Sequence, residues 1–436
     1  MVDMIHSDGA QPRNDNRWTM LYPELIYEIL TYCLSDTTLD TFIPKRFPWY
    51  LGHICRSWRS VFTSSPRFWD RFTFIAERFV THHLDSERAS TLVELCIKRT
   101  KDQPFSFRFN AKPKDYLAAS YMYRAMKTIV AHADRWSVAY VKVKGFGGPV
   151  ADLLLKNKHR FGQLHTLQIS IPRVGTSSRL HHPSLFEYAP NLTHVYTTDY
   201  YRLRWSSLTV LHIGFSSYPS IRMLFAEFDK MTCLEELVIR GAPRREENTV
   251  AMFQTPVKLP SLKILYVKHY YPLSFITAPS LEILHLGDIL PVLQGTPIET
   301  LLRGVSHLRT LSFNVNVCDV LHCIPELDHA IVIGKHFVLA LLVYQPMARS
   351  LKTITISDAD VYESGTKALC NITSVVQRWE KHQFPNLRLL SVFLHERKDE
   401  DMSPAIYDLL QLGTNKGFEV DIKFSPPQII PRFRDL

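Results

Sequence analysis

Nineteen histidines and seven cysteines are the residues of this 436-residue chain on which chemistry would draw first. Their spacing argues against it. The pairs His82–His83 in "THHL" and His181–His182 in "LHHP" have no further ligand at metal-binding spacing, and read as surface histidines. Cys33, Cys55, Cys96, Cys233, Cys318, Cys323 and Cys370 are scattered, odd in number and free of any CxxC pair. They read as reduced thiols of a cytoplasmic or nuclear protein. The chain contains no HExxH, no GxSxG and no GxxxxGK[ST]. The clustered glycines of "VKGFGGPVADLLL" suit a turn before a helix better than a phosphate loop. Asp358 and Asp360 in "SDAD" sit at the end of a strand-like phrase. Glu396, Asp399, Glu400 and Asp401 of "ERKDED" read as a solvated loop. No catalytic residue, metal site or cofactor is expected, so the function must lie in surfaces that bind.

One pattern does carry recognition chemistry. From about residue 136 the chain returns to the phrase apolar-x-x-apolar-x-apolar. It occurs in "VAYVKV" at Val138, "LHTLQI" at Leu164, "LTHVYT" at Leu192, "LTVLHI" at Leu208 and "LEELVI" at Leu234. It recurs in "LKILYV" at Leu262, "LEILHL" at Leu281, "LRTLSF" at Leu308, "LKTITI" at Leu351 and "LRLLSV" at Leu387. Alternation within each phrase predicts a β-strand whose apolar side chains enter a core, with the intervening positions on the opposite face. Those positions hold Tyr140, Lys142, Lys144, Thr166, His194, Tyr196, His212, Arg240, Tyr266, Lys268 and His285, with Glu236 as the one clear acid. Tyrosines among basic residues suit an acidic or phosphorylated target segment, because Lys and Arg engage phosphate oxygens.

Stretches of helical spacing separate several phrases: Ile221, Leu224, Phe225 and Phe228; Leu301, Leu302 and Val305; Val375, Val376 and Trp379. A strand followed by a helix or loop, repeated every 20 to 30 residues, resembles the leucine-rich-repeat family. The family's asparagine is matched only at Asn316. Pro172, Ser216, Ala242 and Tyr270 fill equivalent sites, so a regular asparagine ladder is not expected. The long gaps before Leu351 and Leu387 imply inserted helices. The resemblance implies an irregular solenoid with a parallel sheet, its intervening positions lining a concave face.

Composition fits this picture. Hydrophobic residues make up 46% and charged residues 21%, a globular balance. The formal charge of +9 is thinly spread and favours acidic partners in general. The segment "MVDMIHSDGAQPRNDNR" lacks the apolar run of a signal peptide. "AIVIGKHFVLALLVYQPMA" is interrupted by Lys335 and His336 and is too short and too charged to span a bilayer.

Ahead of the repeats stand compact helical segments. Pro23 suits the first turn of a helix and Glu24 its positive end. Leu25, Ile26, Ile29, Leu30, Cys33 and Leu34 then mark one face. Two prolines in "SDTTLDTFIPKRFPWY" end this helix. In "YLGHICRSWRSVF", Leu51, Ile54, Cys55, Trp58, Val61 and Phe62 predict a second helix. "SSPRFWDRF" predicts a third short element, capped by Ser65, started by Pro66 and anchored by Phe68 and Trp69. After these, "LVELCIKRTKDQPFSFRFN" and "MYRAMKTIVAHADRW" predict a helix, a strand and a helix bridging to the repeats. The expected organisation is a tail at 1–17, a helical module at 18–75, a bridge at 76–135 and repeats at 136–430.

From "LYPELIYEIL" through "LGHICRSWRSVFTSSPRFWDRF" the chain resembles the F-box family in its fungal form. Leu21, Pro23, Glu24 and Leu25 match its opening, with Tyr22 where the fungal form has a further proline. Cys55, Trp58 and Arg59 match its middle step, and Pro66 and Trp69 its last. Segment 35–50 is longer than in many F-boxes. The "RS…PL" step that follows the fungal F-box has its analogue at Arg99, Thr100, Pro104 and Phe105. The resemblance implies an α/β protein: an all-helical F-box, then the repeat solenoid. It implies docking to the Skp adaptor and through it to a cullin, by Leu21, Pro23, Glu24, Leu25, Ile26, Ile29, Trp58, Val61, Pro66 and Trp69. The repeats would hold the target, and covalent chemistry would belong to other subunits. A repeat scaffold with no ligase role is the alternative. A nucleic-acid binder using the positive surface is a third reading, with steeply salt-dependent binding.

Overall fold

A computed structural model describes residues 21–34, 37–41, 43, 48–76, 83–113, 116–145, 147–171, 184–214, 223–240, 257–268, 276–288, 301–302, 304–314, 324, 326–333, 350–357, 365–379, 385–394 and 402–424. The protein is α/β with parallel sheets, and the chain divides into two compact units, 1–157 with 171–180, and 158–170 with 181–436.

In the first unit, helix α1 (Pro23–Leu34) packs on α2 (Arg56–Ser64). The single helix expected across 50–62 is two elements. A 3-10 turn at Trp49–His53 precedes α2, and Cys55 between them is fully extended, with φ −158° and ψ 178°. The apolar period runs unbroken through this step, because Leu51 and Phe62 reach the same core from either side of it. The Arg59 guanidinium ties the two pieces by donating from Nε to the Gly52 carbonyl at 2.7 Å. Pro66 starts a second 3-10 turn, Pro66–Phe68, which Ser65 does not cap through its side chain.

Aromatic rings fill the space inside. Phe62 lies 4.9 Å from Trp69 and 6.2 Å from Phe68, and Trp49 meets Trp69 edge-on at 5.7 Å. Both indole donors find carbonyls: Trp69 Nε1 to Phe62 at 2.8 Å and Trp49 Nε1 to Asp40 at 2.8 Å. These rings thus bury their apolar area and satisfy their polar atoms together. Strands β1 (Leu39–Asp40), β2 (Arg71–Ile75), β3 (Phe105–Ala111) and β4 (Trp136–Val143) pair in parallel in that order. Parallel neighbours need crossovers, and α3 (His83–Arg99) and α4 (Tyr116–Val130) supply them and pack on each other. The expected bridge of helix, strand and helix is therefore present as α3, β3 and α4. Helix α5 (Gly147–Lys156) closes the unit.

The second unit is a parallel sheet of β5 (Thr166–Ser170), β6 (His194–Thr197), β7 (Val210–Gly214), β8 (Glu236–Arg240), β10 (Ile264–Val267), β12 (Ile283–Asp288), β13 (Thr310–Asn314), β14 (His329–Ile333), β15 (Thr353–Ser357), β16 (Leu389–Phe393) and β17 (Glu419–Lys423), in that order. A small separate pair is formed by β9 (Val257–Lys258) and β11 (Ile276–Thr277). Every one of the repeated phrases forms a strand. One gap reads differently from expectation. The stretch before Leu351, taken for inserted helix, contains β14. Leu327, Ala330 and Val332 make the same phrase, but the small Ala330 hides its period. The gap before Leu387 does hold a helix, α6 (Gly365–Arg378), which packs on α7 (Ser403–Lys416). Of the other helical stretches, Leu224, Phe225, Phe228, Leu301, Leu302, Val375, Val376 and Trp379 are all buried. Ile221, Asn316, Pro172, Ser216, Ala242 and Tyr270 lie outside the described residues, as do the "THHL" and "LHHP" dipeptides' side chains and the "SDAD" and "ERKDED" acids.

Register follows from a repeated hydrogen-bond corner. The His165 carbonyl accepts from both Thr193 and Val-side neighbour His194, each at 3.0 Å. Thr193 accepts in the same way from Thr209 at 2.9 Å and Val210 at 3.1 Å. Thr209, Glu235, Lys263, Glu282, Arg309, Asp328 and Lys352 repeat the arrangement. Each of these residues immediately precedes a strand. The result is a column of paired core residues, Leu167, Val195, Leu211, Leu237, Leu265, Leu284, Leu311, Ala330, Ile354 and Leu390, all buried.

Candidate functional site

Two surfaces gather the residues singled out from the sequence, one in each unit. The first is α1. Proline at its start and the spacing of its apolar residues make it a helix, but those residues split between two faces. Ile26 and Leu30 are fully buried. Leu25 is 50% exposed, Ile29 37%, and Tyr22 and Tyr32 are 72% and 86% exposed. Tyr22, Leu25, Ile29 and Tyr32 recur at three- and four-residue spacing, so they form one stripe along the outer side. Of the expected docking residues, Leu25 and Ile29 lie on this stripe, Pro23 and Glu24 are exposed at its start, and Leu21, Val61 and Pro66 are half-buried. Ile26, Trp58 and Trp69 are not on the surface: each is at most 6% exposed, held among the aromatic rings of the core. The sequence pattern merged the two faces because a helix apolar on both sides shows an almost continuous period. Tyr22 stands out in the sequence only as a departure from the F-box opening, and Tyr32 carries no signal there, although their i, i+10 placement brackets Leu25 and Ile29.

Beside α1 lies a cavity of about 60 Å³ lined by Thr31, Leu34, Thr37, Leu39, Phe68 and Asp70 among others. It is far below the ~300 Å³ of a small-molecule site. Burial raises the Asp70 carboxyl above the ordinary range, an effect that Arg71 and Arg67 offset in part.

The second surface is the face of the second unit's sheet opposite the core column. Register places Gln168, Tyr196, His212, Val238, Tyr266, His285, Ser312, Ile331 and Thr355 side by side in one row. The row beneath it carries Thr166, His194, Val210, Glu236, Ile264, Ile283, Thr310 and His329. His194, Tyr196, His212, Arg240 and Tyr266 thus lie on neighbouring strands of this sheet, with Lys268 just after β10, while Tyr140 and Lys142 belong to β4 of the first unit, where Arg108 stacks on Tyr140 at 4.6 Å. The face is drier than a solvated row. His212 is 2% exposed and Tyr266 7% exposed.

Its polar groups engage one another. His212 donates from Nε2 to Glu236 Oε1 at 2.7 Å, and its ring meets Tyr196 edge-on at 4.5 Å. The Arg240 guanidinium lies 6.0 Å from the Tyr266 ring centre. His329 Nε2 is 2.8 Å from Thr355 Oγ1. Burial lowers His285 to about 4, a shift that the neighbouring His329 reinforces and Glu236 opposes. Burial likewise lowers His329, and with His165 it lowers His194. Burial and then the Glu236 charge raise Tyr196. At neutral pH the imidazoles of His194, His285 and His329 are therefore uncharged, and the face acts through neutral hydrogen-bonding groups more than through charge. His329, Ser312 and Thr355 were missed in the sequence because β14 was missed and because hydroxyls in a strand carry no pattern of their own.

Among the described residues, no three His, Cys, Asp or Glu side chains gather as a metal site, and no helix is long and apolar enough to cross a membrane. Cys96 is a buried free thiol whose ionisation burial pushes upward. The chain matches no protein-family model and no curated protein.

Proposed function

We propose that this protein is a substrate receptor of an SCF-type cullin-RING ubiquitin ligase. Its N-terminal helices would act as an F-box that docks a Skp-family adaptor, and its repeats as a leucine-rich-repeat-like solenoid that holds the target. The protein itself would do no covalent chemistry and would act by bringing the target to the ligase. The observation that carries this reading is the stripe of Tyr22, Leu25, Ile29 and Tyr32. Four large apolar or aromatic side chains stay exposed on a helix whose opposite side is fully buried. Exposed apolar stripes of this kind mark interaction surfaces. The F-box resemblance of the residues around it says which partner would cover it.

Co-expression with the Skp adaptor and size exclusion tests the reading. The wild type is expected to elute as a complex, and Leu25→Asp with Ile29→Asp to elute alone while keeping its circular dichroism. Because Trp58 is buried, its substitution would not separate docking from folding. A folded wild type that elutes without the adaptor would instead favour a repeat scaffold with no ligase role.

A further inference from the structure

Strand β17 (Glu419–Lys423) ends the sheet of the second unit, and among the described residues no strand pairs with its outer edge. An open edge presents a row of N–H and C=O groups that a further strand can take up. Val420 and Ile422 are only half-buried, and Phe424, directly after β17, is 42% exposed. Helix α7 continues the apolar surface. Gly413 faces β17, and Lys416, on the flank turned to α6, donates from Nζ to the Gln377 carbonyl at 3.0 Å. At about 100° per residue, Tyr407 and Leu410 fall on the flank away from Lys416. They are 62% and 41% exposed.

The order of residues selects the occupant. Val420, Asp421, Ile422, Lys423 and Phe424 run apolar, acidic, apolar, basic, apolar. Laid antiparallel against a second copy of itself and centred on Ile422, this run is self-complementary. Each Asp421 stands opposite Lys423 of the other copy, each Val420 opposite Phe424, and the two Ile422 meet at the centre. Directly opposed residues of an antiparallel pair bring their Cβ atoms to about 5 Å, where opposite charges and apolar pairs both attract. Other alignments lose this. Centring on Asp421 sets its carboxylate against its own copy, and centring on Val420 sets Glu419 against Asp421. A slip of one residue sets apolar side chains against charged ones. Charges on an edge strand ordinarily deter pairing, and here their placement deters the neighbouring alignments while favouring this one.

We infer that β17 is the interface of a symmetric dimer of this chain, formed by antiparallel pairing with β17 of a second copy about Ile422. A two-fold axis through Ile422 and normal to the sheet reverses the strand and keeps the helices of both copies on one side. Helix α7 then lies beside its counterpart, and the flanks that carry Tyr407 and Leu410 are covered together. Five paired residues are few against the ~1,200 Å² of a stable specific interface, and these flanks add to them. Within one chain Lys423 Nζ lies 2.7 Å from Asp421 Oδ2, but the two side chains are 53% and 32% exposed. Such a pair is exchanged for cross-strand partners at little cost. The inference is independent of the receptor reading, whose docking surface is on α1.

The test is sedimentation equilibrium of the full chain, without adaptor, between about 1 and 100 µM, where weak interfaces saturate. The wild type is expected to approach twice its 50.5 kDa. Asp421→Lys places like charges in both cross-strand pairs, and so does Lys423→Asp. Each should weaken the dimer roughly tenfold or more while keeping its circular dichroism. Mixed in equal amounts, the two variants are complementary again and should form a heterodimer. The double variant, with both substitutions in one chain, should dimerise like the wild type. A wild type that stays at the mass of one chain, single variants that dimerise unchanged, or a mixture and a double variant that remain monomeric would each overturn the inference. Leu410→Glu, on the exposed flank of α7, brings like charges together at the same interface. It should also weaken the dimer, and it provides a second reading should an edge variant fail to fold.

Discussion

His212 and Glu236 come from neighbouring strands but not from paired positions: the imidazole reaches diagonally from one row to the next to place Nε2 2.7 Å from the carboxylate. With His212 only 2% exposed, the bond joins the two rows inside a dry face. Glu236→Ala strips a buried donor of its carboxylate, and the expected cost is about 1–3 kcal/mol. Glu236→Gln, which keeps an acceptor, should cost less. Urea unfolding of the three proteins measures the difference, and equal midpoints would show the bond to be worth nothing.

Acid should weaken the second unit before neutral pH is far behind. His285, His329 and His194 all have folded-state values below the ordinary 6.5, with His285 near 4. The unfolded chain therefore binds protons that the folded chain refuses. Stability is full above pH 6.5 and falls as pH drops from there towards 4. For His285 alone the loss is on the order of 3 kcal/mol. Thermal melts between pH 7.5 and 4.5 should show this slope, and His285→Gln should flatten it.

The two faces of α1 should respond oppositely to substitution. Ile26→Ala opens a cavity at a fully buried position and should cost about 2–5 kcal/mol. Leu25→Asp and Ile29→Asp alter exposed positions and should stay within about 0.5 kcal/mol of wild type. Chemical denaturation of the three variants checks this. Loss of stability in the outer pair would mean that the stripe is packed.

Ser312→Ala should raise stability or leave it unchanged. It removes a buried hydroxyl that has no partner, and so an unsatisfied cost of about 1–3 kcal/mol, while leaving the strand's shape. A clear fall in the unfolding midpoint would show that the hydroxyl is satisfied after all.

Gly413 marks where α7 lies closest to β17. A Cβ there would collide with Val420 Cγ2 and stand 3.1 Å from the Phe418 carbonyl, while the Gly413 carbonyl accepts from Gly417 at 2.9 Å and Phe418 at 3.0 Å to end the helix. Gly413→Ala should cost about 1–3 kcal/mol by overpacking. The measurement is again the unfolding midpoint, and a neutral result would mean that the helix end can slide outward.

Much of the strand layout was legible because a parallel sheet covered on one face repeats an apolar phrase at each strand. The phrase needs large side chains to be seen. Ala330 in β14 is too small, and in β17 Val420 and Ile422 stand between charged neighbours and are only half-buried. Helical period was read correctly in α1 but not assigned to faces. Ile26 and Ile29 look alike in sequence, and only the packing of the neighbouring rings decides which one is covered. The dry character of the polar face was likewise hidden. A histidine in a strand reads as solvated until its neighbours' rings are in place, and the burial of His212 comes from Tyr196 and Glu236, each on a different strand.

The doubled acceptance by the carbonyl ahead of nine strands of the second unit, β5 to β8, β10 and β12 to β15, has a bearing on how this chain can change over time. Alignment of each strand with the last is decided at that corner, before the strand begins. Whatever the chain does after leaving the far end has no vote in it. Lengthening or replacing a connecting segment there should leave the neighbouring rows in step, so the face can keep its arrangement of rings and hydroxyls while its margin is rewritten.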